Sequence, residues 1–270
     1  MNQLLIKDKV TIKNITLTYY KAGSGQHLLF CFHGYGQSGR DFVFLQNHIG
    51  SSYTIIGINW FFTDESYCAE PMKIDTEILR QFIENICMKE SLSRKISLCS
   101  FSIGVIPLFA LLSKKSEIFN KIIIIAAPGF AFFRLVNFGV NTLIGSWIFE
   151  RVIKNQKWFY LFVNSFVGKF ILGKSKIKLL NNFIETSEKL LTVRKVWQTL
   201  QGLLISKKQL TALKLPNSFY LVGSFDKVTP AFLLNEILIK VGSMYIKTQS
   251  GHKLNTADNI KNIKQILLNA

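Results

Sequence analysis

Short, continuous apolar runs alternate along this chain with stretches of helical periodicity, and that alternation limits the fold more than any other feature. His27–Phe32 (HLLFCF), Tyr53–Trp60 (YTIIGINW), Lys95–Ser100 (KISLCS), Lys121–Ala126 (KIIIIA), Ser218–Val222 (SFYLV) and Met244–Thr248 (MYIKT) read as strands. A run apolar at successive positions, as in HLLFCF, leaves no solvated face, which suits a central strand of a parallel sheet covered on both sides. Helices are expected between and after these runs, over Asp41–Ile49, Asp75–Glu90, Gly104–Leu112, Pro230–Val241 and Ala257–Leu268. In Asp75–Glu90, for example, Ile78, Phe82, Ile83 and Ile86 share one face. At the start, Leu4–Ile6 and Thr11–Tyr20 are strand-like, with a local break at Lys13-Asn14 and a turn cluster over Lys21–Gly25. The fold class is α/β, with a mostly parallel central sheet flanked by helices.

The interval from Ala131 to Leu215 breaks the rhythm. It has no convincing strand and is rich in aromatics and lysine. A connection this long inside a compact domain needs structure of its own, so it is expected to be an inserted helical cap. The domain reading is therefore a core of residues 1–130 and 216–270 with a cap of residues 131–215. The net charge of +17 is concentrated there: the interval holds 14 Lys and Arg against three acids, leaving +6 for the rest. Compositional drift alone would spread the charge more evenly. A basic cap could attract an anionic substrate or make peripheral contact with an anionic membrane.

Other partner classes fit less well. Nucleic acid is not expected, because no helix-turn-helix signature, zinc ligand set or arginine-rich arm is present. No stretch reads as a transmembrane span: Leu135–Phe149, uncharged for 15 residues, is too short and is interrupted by Asn and Gly. The N-terminus does not read as a secretory signal, because its apolar stretch is short and broken by charge. Cys31, Cys68, Cys87 and Cys99 show no CxxC spacing and read as reduced, buried thiols of a cytoplasmic protein.

Four short motifs carry the chemistry, each just past an expected strand. The sharpest is Ser100-Phe-Ser102-Ile-Gly104, between the strand ISLC and the apolar helix VIPLFALL. A serine hydroxyl is a weak nucleophile until a base takes its proton and a tight strand-to-helix turn exposes it. Ser102 is that candidate; Ser100 and Gly104 are small enough for strand and helix to pass closely. His33-Gly34-Tyr35-Gly36 follows HLLFCF, and its backbone can approach a substrate. The N–H groups of Tyr35 and Ile103 are the expected donors to the oxyanion of a tetrahedral intermediate. Asp226, in Gly223-Ser-Phe-Asp226-Lys-Val-Thr-Pro230, is the candidate acid, and His252, in Gly251-His252, the candidate base. Each has a plainer reading alone: a helix-capping serine, a turn, a capping aspartate, a loop histidine. Their order along the chain argues for the joint reading. His27, His33 and His48 are weaker candidates for the base.

On these motifs the sequence resembles the α/β-hydrolase family over nearly its whole length. HGYG is similar to the family's oxyanion motif, SFSIG to its nucleophile elbow, GSFDKVTP to its acid loop and SGHKLN to its histidine loop. The resemblance implies Ser102, Asp226 and His252 as a triad with Tyr35 and Ile103 as oxyanion donors, and a cap at residues 131–215. Two departures stand out: Ser100 occupies a place where glycine is commoner, and only one glycine follows the nucleophile. Neither removes a catalytic group.

The function expected is hydrolysis of an ester or thioester of an apolar acyl substrate through an acyl-enzyme on Ser102. Cap segments Leu135–Phe149 and Trp158–Val167 would line the acyl pocket. No metal and no organic cofactor is required by this mechanism. C–C bond hydrolysis, acyl transfer to an alcohol, and a non-catalytic binding protein on the same fold remain the alternatives.

Overall fold

Leu28, Phe30 and Phe32 of the run HLLFCF pack into one apolar cluster, Leu29 and Cys31 into another, and all five are buried. The run is apolar throughout because its strand has a core on each side. The computed structural model describes residues 5–60, 65–68, 74–90, 95–115, 118–165, 187–229 and 234–269. Its strands are β1 (Ile6–Ile12), β2 (Ile15–Ala22), β3 (His27–Phe32), β4 (Tyr53–Asn59), β5 (Tyr67–Cys68), β6 (Ile96–Phe101), β7 (Phe119–Ile125), β8 (Ser218–Gly223) and β9 (Met244–Thr248). They form one sheet in the order β1-β2-β4-β3-β6-β7-β8-β9, with β5 pairing on β2. From β4 to β9 every neighbouring pair is parallel, whereas β2 is antiparallel to β1, β4 and β5.

The helices are α1 (Gln46–Ile49), α2 (Thr76–Lys89), α3 (Val105–Lys115), α4 (Phe130–Asn141), α5 (Leu143–Lys154), α6 (Gln156–Asn164), α7 (Ser187–Leu200), α8 (Lys207–Thr211), α9 (Asn235–Lys240) and α10 (Ala257–Leu268). Phe82 and Ile86 of α2 and Phe109 of α3 pack in one cluster with Tyr19, Leu28 and Phe30. Ile49 of α1 and Ile263 and Ile266 of α10 pack in the other with Leu29, Cys31 and Ile123. This places helices on both faces, as parallel strands require. Asp75 caps α2 by accepting the Ile78 N–H at 2.9 Å.

Several boundaries differ from the sequence expectation, each for a physical reason. The break at Lys13-Asn14 is a hairpin turn, with Lys13 at φ 52°. Its first arm runs Ile6–Ile12, through charged Lys7, Asp8 and Lys9, because β1 is a largely exposed edge strand; Leu4 lies outside the described residues. The expected helix Asp41–Ile49 is mostly 3₁₀, spanning Gly39–Leu45 before α1. Gly39, Phe42 and Leu45 are its buried residues, and a spacing of three suits a 3₁₀ turn rather than an α-helix. Of the helix expected over Pro230–Val241, the described part is α9, and residues 230–233 lie outside the description. Cys31 and Cys99 are buried free thiols facing each other across β3 and β6, whereas Cys87 is half-buried. The Cys68 side chain lies outside the described residues.

Between β7 and β8 the described residues hold α4 to α8 and a 3₁₀ turn, Gln201–Leu203, with no strand. Phe133, Val196 and Leu200 of this interval join the same cluster as α3, which ties it to the sheet. Within it, Phe149 of α5 meets the Trp197 ring of α7 at 5.4 Å. Arg194 of α7 donates to Glu150 at 2.9 Å and to Ser146 at 3.2 Å.

Phe109 is fully buried beneath the central strands. Truncation there leaves a cavity that rigid parallel strands cannot collapse into. Phe109→Ala is expected to lose about 3–5 kcal/mol of unfolding free energy, read by urea titration.

Candidate active site

β6 ends at Phe101, and the chain turns at once through Ser102-Ile103-Gly104 into α3. Ser102 sits at φ 53°, a left-handed backbone conformation that costs a non-glycine residue roughly 1–3 kcal/mol. Gly104 makes the turn feasible: a Cβ built there would stand 2.2 Å from the Phe32 carbonyl oxygen and 2.8 Å from that of His33. No other residue lets α3 start this close to the end of β3. Ser100 pairs in register with Phe32 and is fully buried. Its hydroxyl has no hydrogen-bond partner among the described residues, a desolvation cost that glycine would avoid.

The segment after β3 is held against this turn. A Cβ on Gly34 would lie 2.9 Å from the Phe101 ring, and Gly36 takes φ 71°. The Gly34 N–H donates to Gln37 Oε1 at 3.0 Å. His33 is buried and clamps the segment to the end of β4: its Nε2 accepts the Trp60 N–H at 3.1 Å, so its Nδ1 carries the proton and donates to Gly34 O at 2.8 Å. His33 is thus a structural clip and not a base. Burial lowers its pKa from 6.5 to about 4, a hydrogen bond to Gly34 only partly opposing this. Tyr35, half-buried, packs against the core, and Ile103 is buried in it.

Asp226 and His252 arrive on the loops after β8 and β9. The two loops run side by side: Ser224 N–H donates to Thr248 O at 2.8 Å and Phe225 N–H to Ser250 O at 3.0 Å. Gly223 permits this approach, since a Cβ there would be 2.2 Å from the Ser250 carbonyl oxygen. The Asn259 side chain of α10 donates to the carbonyls of Lys253 and Leu254 and so fixes the far end of the histidine loop.

These loops bring three residues from distant parts of the sequence together. His252 Nε2 is 3.1 Å from Ser102 Oγ, and His252 Nδ1 is 2.9 Å from Asp226 Oδ2. The Phe101 ring lies 5.0 Å from the imidazole. Asp226 is buried, and each oxygen accepts twice: Oδ1 from the Val228 and Thr229 N–H groups at 2.9 and 2.8 Å, Oδ2 from the Thr229 hydroxyl at 2.8 Å and from His252. Burial pushes the carboxyl up, but the hydrogen bonds from His252 and Thr229 outweigh it and hold the pKa below its ordinary value. The Thr229 hydroxyl also lies 3.2 Å from His252 Nδ1, so it holds carboxylate and imidazole together. Sequence reasoning named neither Thr229 nor Asn259. Thr229, two residues past Lys227 in GSFDKVTP, had a readable signal: a threonine three after an aspartate can close a turn on it.

A cavity of about 10 Å³, large enough for about one water, adjoins the turn between Ile103, Gly104, His33, Trp60, Pro107 and Leu200. A larger open groove of about 620 Å³ lies at the opposite edge of the sheet, by the starts of β8 and β9, and touches none of the expected site residues. Several of the side chains expected to line an acyl pocket face solvent. Leu143, Ile144, Trp147 and Ile148 of α5 are exposed, because the opposite side of that helix packs on α7, and Tyr160 and Leu161 of α6 are exposed as well. The side chains of residues 135, 136, 140, 158, 159, 162 and 163, and all of residues 166 and 167, lie outside the description. Among the described residues no group of three or more His, Cys, Asp or Glu is placed to hold a metal ion.

A neutral buried His33 has a stability consequence. Its folded pKa lies below its unfolded value, so the unfolded chain takes the proton first as pH falls. The contribution is complete above about pH 6.5 and is lost progressively down to about pH 4, by roughly 3 kcal/mol in all. Denaturant titrations across that window are expected to show this loss in the wild type. His33→Gln, whose amide oxygen can still accept from Trp60, should show a markedly shallower one.

No family model and no curated protein sequence matches the chain. In three dimensions it is similar to an esterase from Thermogutta terrifontis, at 18% identity over 98% of this chain and 96% of that one, with a TM-score of 0.60. A haloalkane dehalogenase from Bradyrhizobium elkani aligns at 14% identity over 98% of each chain, with a TM-score of 0.61. A thioesterase domain from the curacin biosynthetic pathway aligns at 13% identity over 98% of this chain and 100% of its own, with a TM-score of 0.59. Their names carry three different activities, so the likeness speaks to architecture. With its strand order, its turn at Ser102 and these neighbours, the chain has the α/β-hydrolase fold.

Proposed function

We propose that the protein is a serine hydrolase that cleaves an ester or thioester of an apolar acyl group through an acyl-enzyme on Ser102. The observation that carries this reading is the continuous line Ser102 Oγ, His252 Nε2, His252 Nδ1, Asp226 Oδ2, with spacings of 3.1 and 2.9 Å. His252 takes the Ser102 proton as Oγ attacks the substrate carbonyl, and Asp226 stabilises the imidazolium that forms. The oxyanion is received by the N–H groups of Tyr35 and Ile103, the latter in the turn that leads into α3, where the helix dipole also favours negative charge. As the tetrahedral centre collapses, the bond to the leaving alcohol or thiol breaks and His252 returns the proton to it. Water then attacks the acyl carbon, gives its proton to His252, and the carboxylic acid leaves as Ser102 Oγ is reprotonated. The buried Asp226, with four hydrogen bonds, keeps the imidazole in the tautomer that this cycle requires.

The small cavity beside Ile103 bears on the acyl group. Leu200 of α7 is among the residues that line its space of about 10 Å³. The methyl of an acetyl group is about the size of that space, and a longer acyl chain needs Leu200 to yield.

Labelling with a fluorophosphonate tests the triad. The wild type is expected to label, Ser102→Ala not at all, and His252→Ala roughly 10²–10⁴-fold more slowly. A correctly folded wild type that does not label removes the hydrolase reading and favours a binding protein on this fold. A product assay on an ester series, with and without an added alcohol acceptor, separates hydrolysis from acyl transfer. In that series Leu200→Ala is expected to shift the kcat/KM ratio of butyrate over acetate esters upward by about tenfold.

A further inference from the structure

The helix α5 carries its apolar residues on the wrong side for a globular protein. Phe149, Ser146 and Glu150 face α7, where they meet Trp197 and Arg194. The opposite side presents Leu143, Ile144, Trp147, Ile148 and Arg151, which fall within one face at helical spacing. Leu143 is 92% exposed, Ile144 68% and Trp147 58%. The next helix continues the pattern, with Leu161 68% exposed and Tyr160 and Lys157 exposed beside it. Scattered exposed hydrophobics are ordinary, but a row of them on consecutive helices marks a surface that meets something apolar.

The charges say what that something is. Arg151 stacks over the Trp147 ring at 5.0 Å, which puts a guanidinium at the border of the apolar face. Lys154 and Lys157 follow at the junction of α5 and α6, both exposed. The acid of this helix pair, Glu150, is occupied by Arg194 on the other side. Leucine, isoleucine and tryptophan flanked by arginine and lysine that have no acidic partner among the described residues match the boundary of a bilayer with anionic headgroups, where chains take up the apolar side chains and phosphates the cations. A second copy of this chain fits less well, because a symmetric contact would bring two cationic faces together. No helix among the described residues is long and apolar enough to cross a membrane, so the contact would lie in the plane of the surface.

We propose that the exposed face formed by Leu143, Ile144, Trp147, Ile148, Arg151 and Leu161 docks the protein onto an anionic lipid bilayer. The inference does not depend on the hydrolytic reading, since docking needs no chemistry at Ser102. It is tested by co-sedimentation with vesicles of phosphatidylcholine alone and of phosphatidylcholine mixed with phosphatidylglycerol.

The wild type and Ser102→Ala are expected to bind the mixed vesicles equally, more tightly than the neutral ones, and more weakly as salt rises. The double variant Leu143→Asp/Ile144→Asp should bind at least about tenfold more weakly. Both positions are exposed and lie in the first turn of α5, where acidic residues favour the helix, so the fold should survive. Leu161→Asp, on the next helix, gives the same reading should the double variant lose its thermal transition. Arg151→Ser/Lys154→Ser/Lys157→Ser should lose the preference for phosphatidylglycerol. Absence of wild-type binding to either vesicle, or undiminished binding by the Asp variants, overturns the proposal. So does a wild-type dimer that ignores vesicles and that Leu143→Asp/Ile144→Asp converts to a monomer, since the face would then belong to a second copy.

Discussion

Gly104 lies against the carbonyls of Phe32 and His33, and most of the site depends on that backbone contact. It lets α3 begin directly above the end of β3, which forces the chain at Ser102 into a left-handed turn. The strain is sustained because β6 is flanked on both sides by parallel partners and α3 is buried along most of its length. An isolated strand–turn–helix would relax. Here relaxation would expose Ile103, Val105, Ile106 and Phe109 to water, and burial of side chains of that size is worth about 1.5–3 kcal/mol each. The same contact sets the segment from His33 to Gly36 beside the serine, so one close approach aligns two of the four motifs.

The other two motifs depend on a second close approach, Gly223 against Ser250. Parallel strands in register end at the same edge, and β8 and β9 release their loops there together. Asp226 is desolvated, which by itself would disfavour its charge. Two backbone N–H groups, the Thr229 hydroxyl and the His252 ring supply what water would have supplied, in fixed directions. A carboxylate held in this way orients an imidazole without having to reorganise when charge develops. His33 is the opposite case. The Gly34 carbonyl accepts from one ring nitrogen and the Trp60 N–H donates to the other, an arrangement that suits the neutral ring.

The helical interval between β7 and β8 works through the two sides of its helices. Phe133, Val196 and Leu200 anchor it to the sheet, and Leu200 also bounds the cavity beside Ile103. The far side of α5 is apolar and cationic at once, a combination that water alone does not favour. The concentration of charge visible in the sequence and the exposed apolar row visible in the structure therefore describe two properties of one interval.

Much of this architecture is written in local patterns. HLLFCF, YTIIGINW, KISLCS and KIIIIA specify buried parallel strands, whereas MYIKT forms the partly exposed edge strand β9, and the order of HGYG, SFSIG, GSFDKVTP and SGHKLN along the chain names Ser102, Asp226 and His252, because short-range composition marks strand ends and tight turns directly. Even so, the 3₁₀ geometry of Gly39–Leu45 was hidden, since a three-residue apolar spacing also fits an α-helix. The edge strand β1 was only partly legible, since an exposed strand need not be apolar. What tertiary structure alone decided is everything that depends on distance across the sheet. The 3.1 Å approach of His252 to Ser102 joins residues 150 positions apart, Thr229 acquires its place only once the β8 and β9 loops lie together, and His33 becomes a neutral clip only when Trp60 reaches it. The side of α5 that faces α7 was likewise undetermined by its own residues, because an amphipathic pattern gives a helix an apolar face without saying whether protein, water or lipid will meet it.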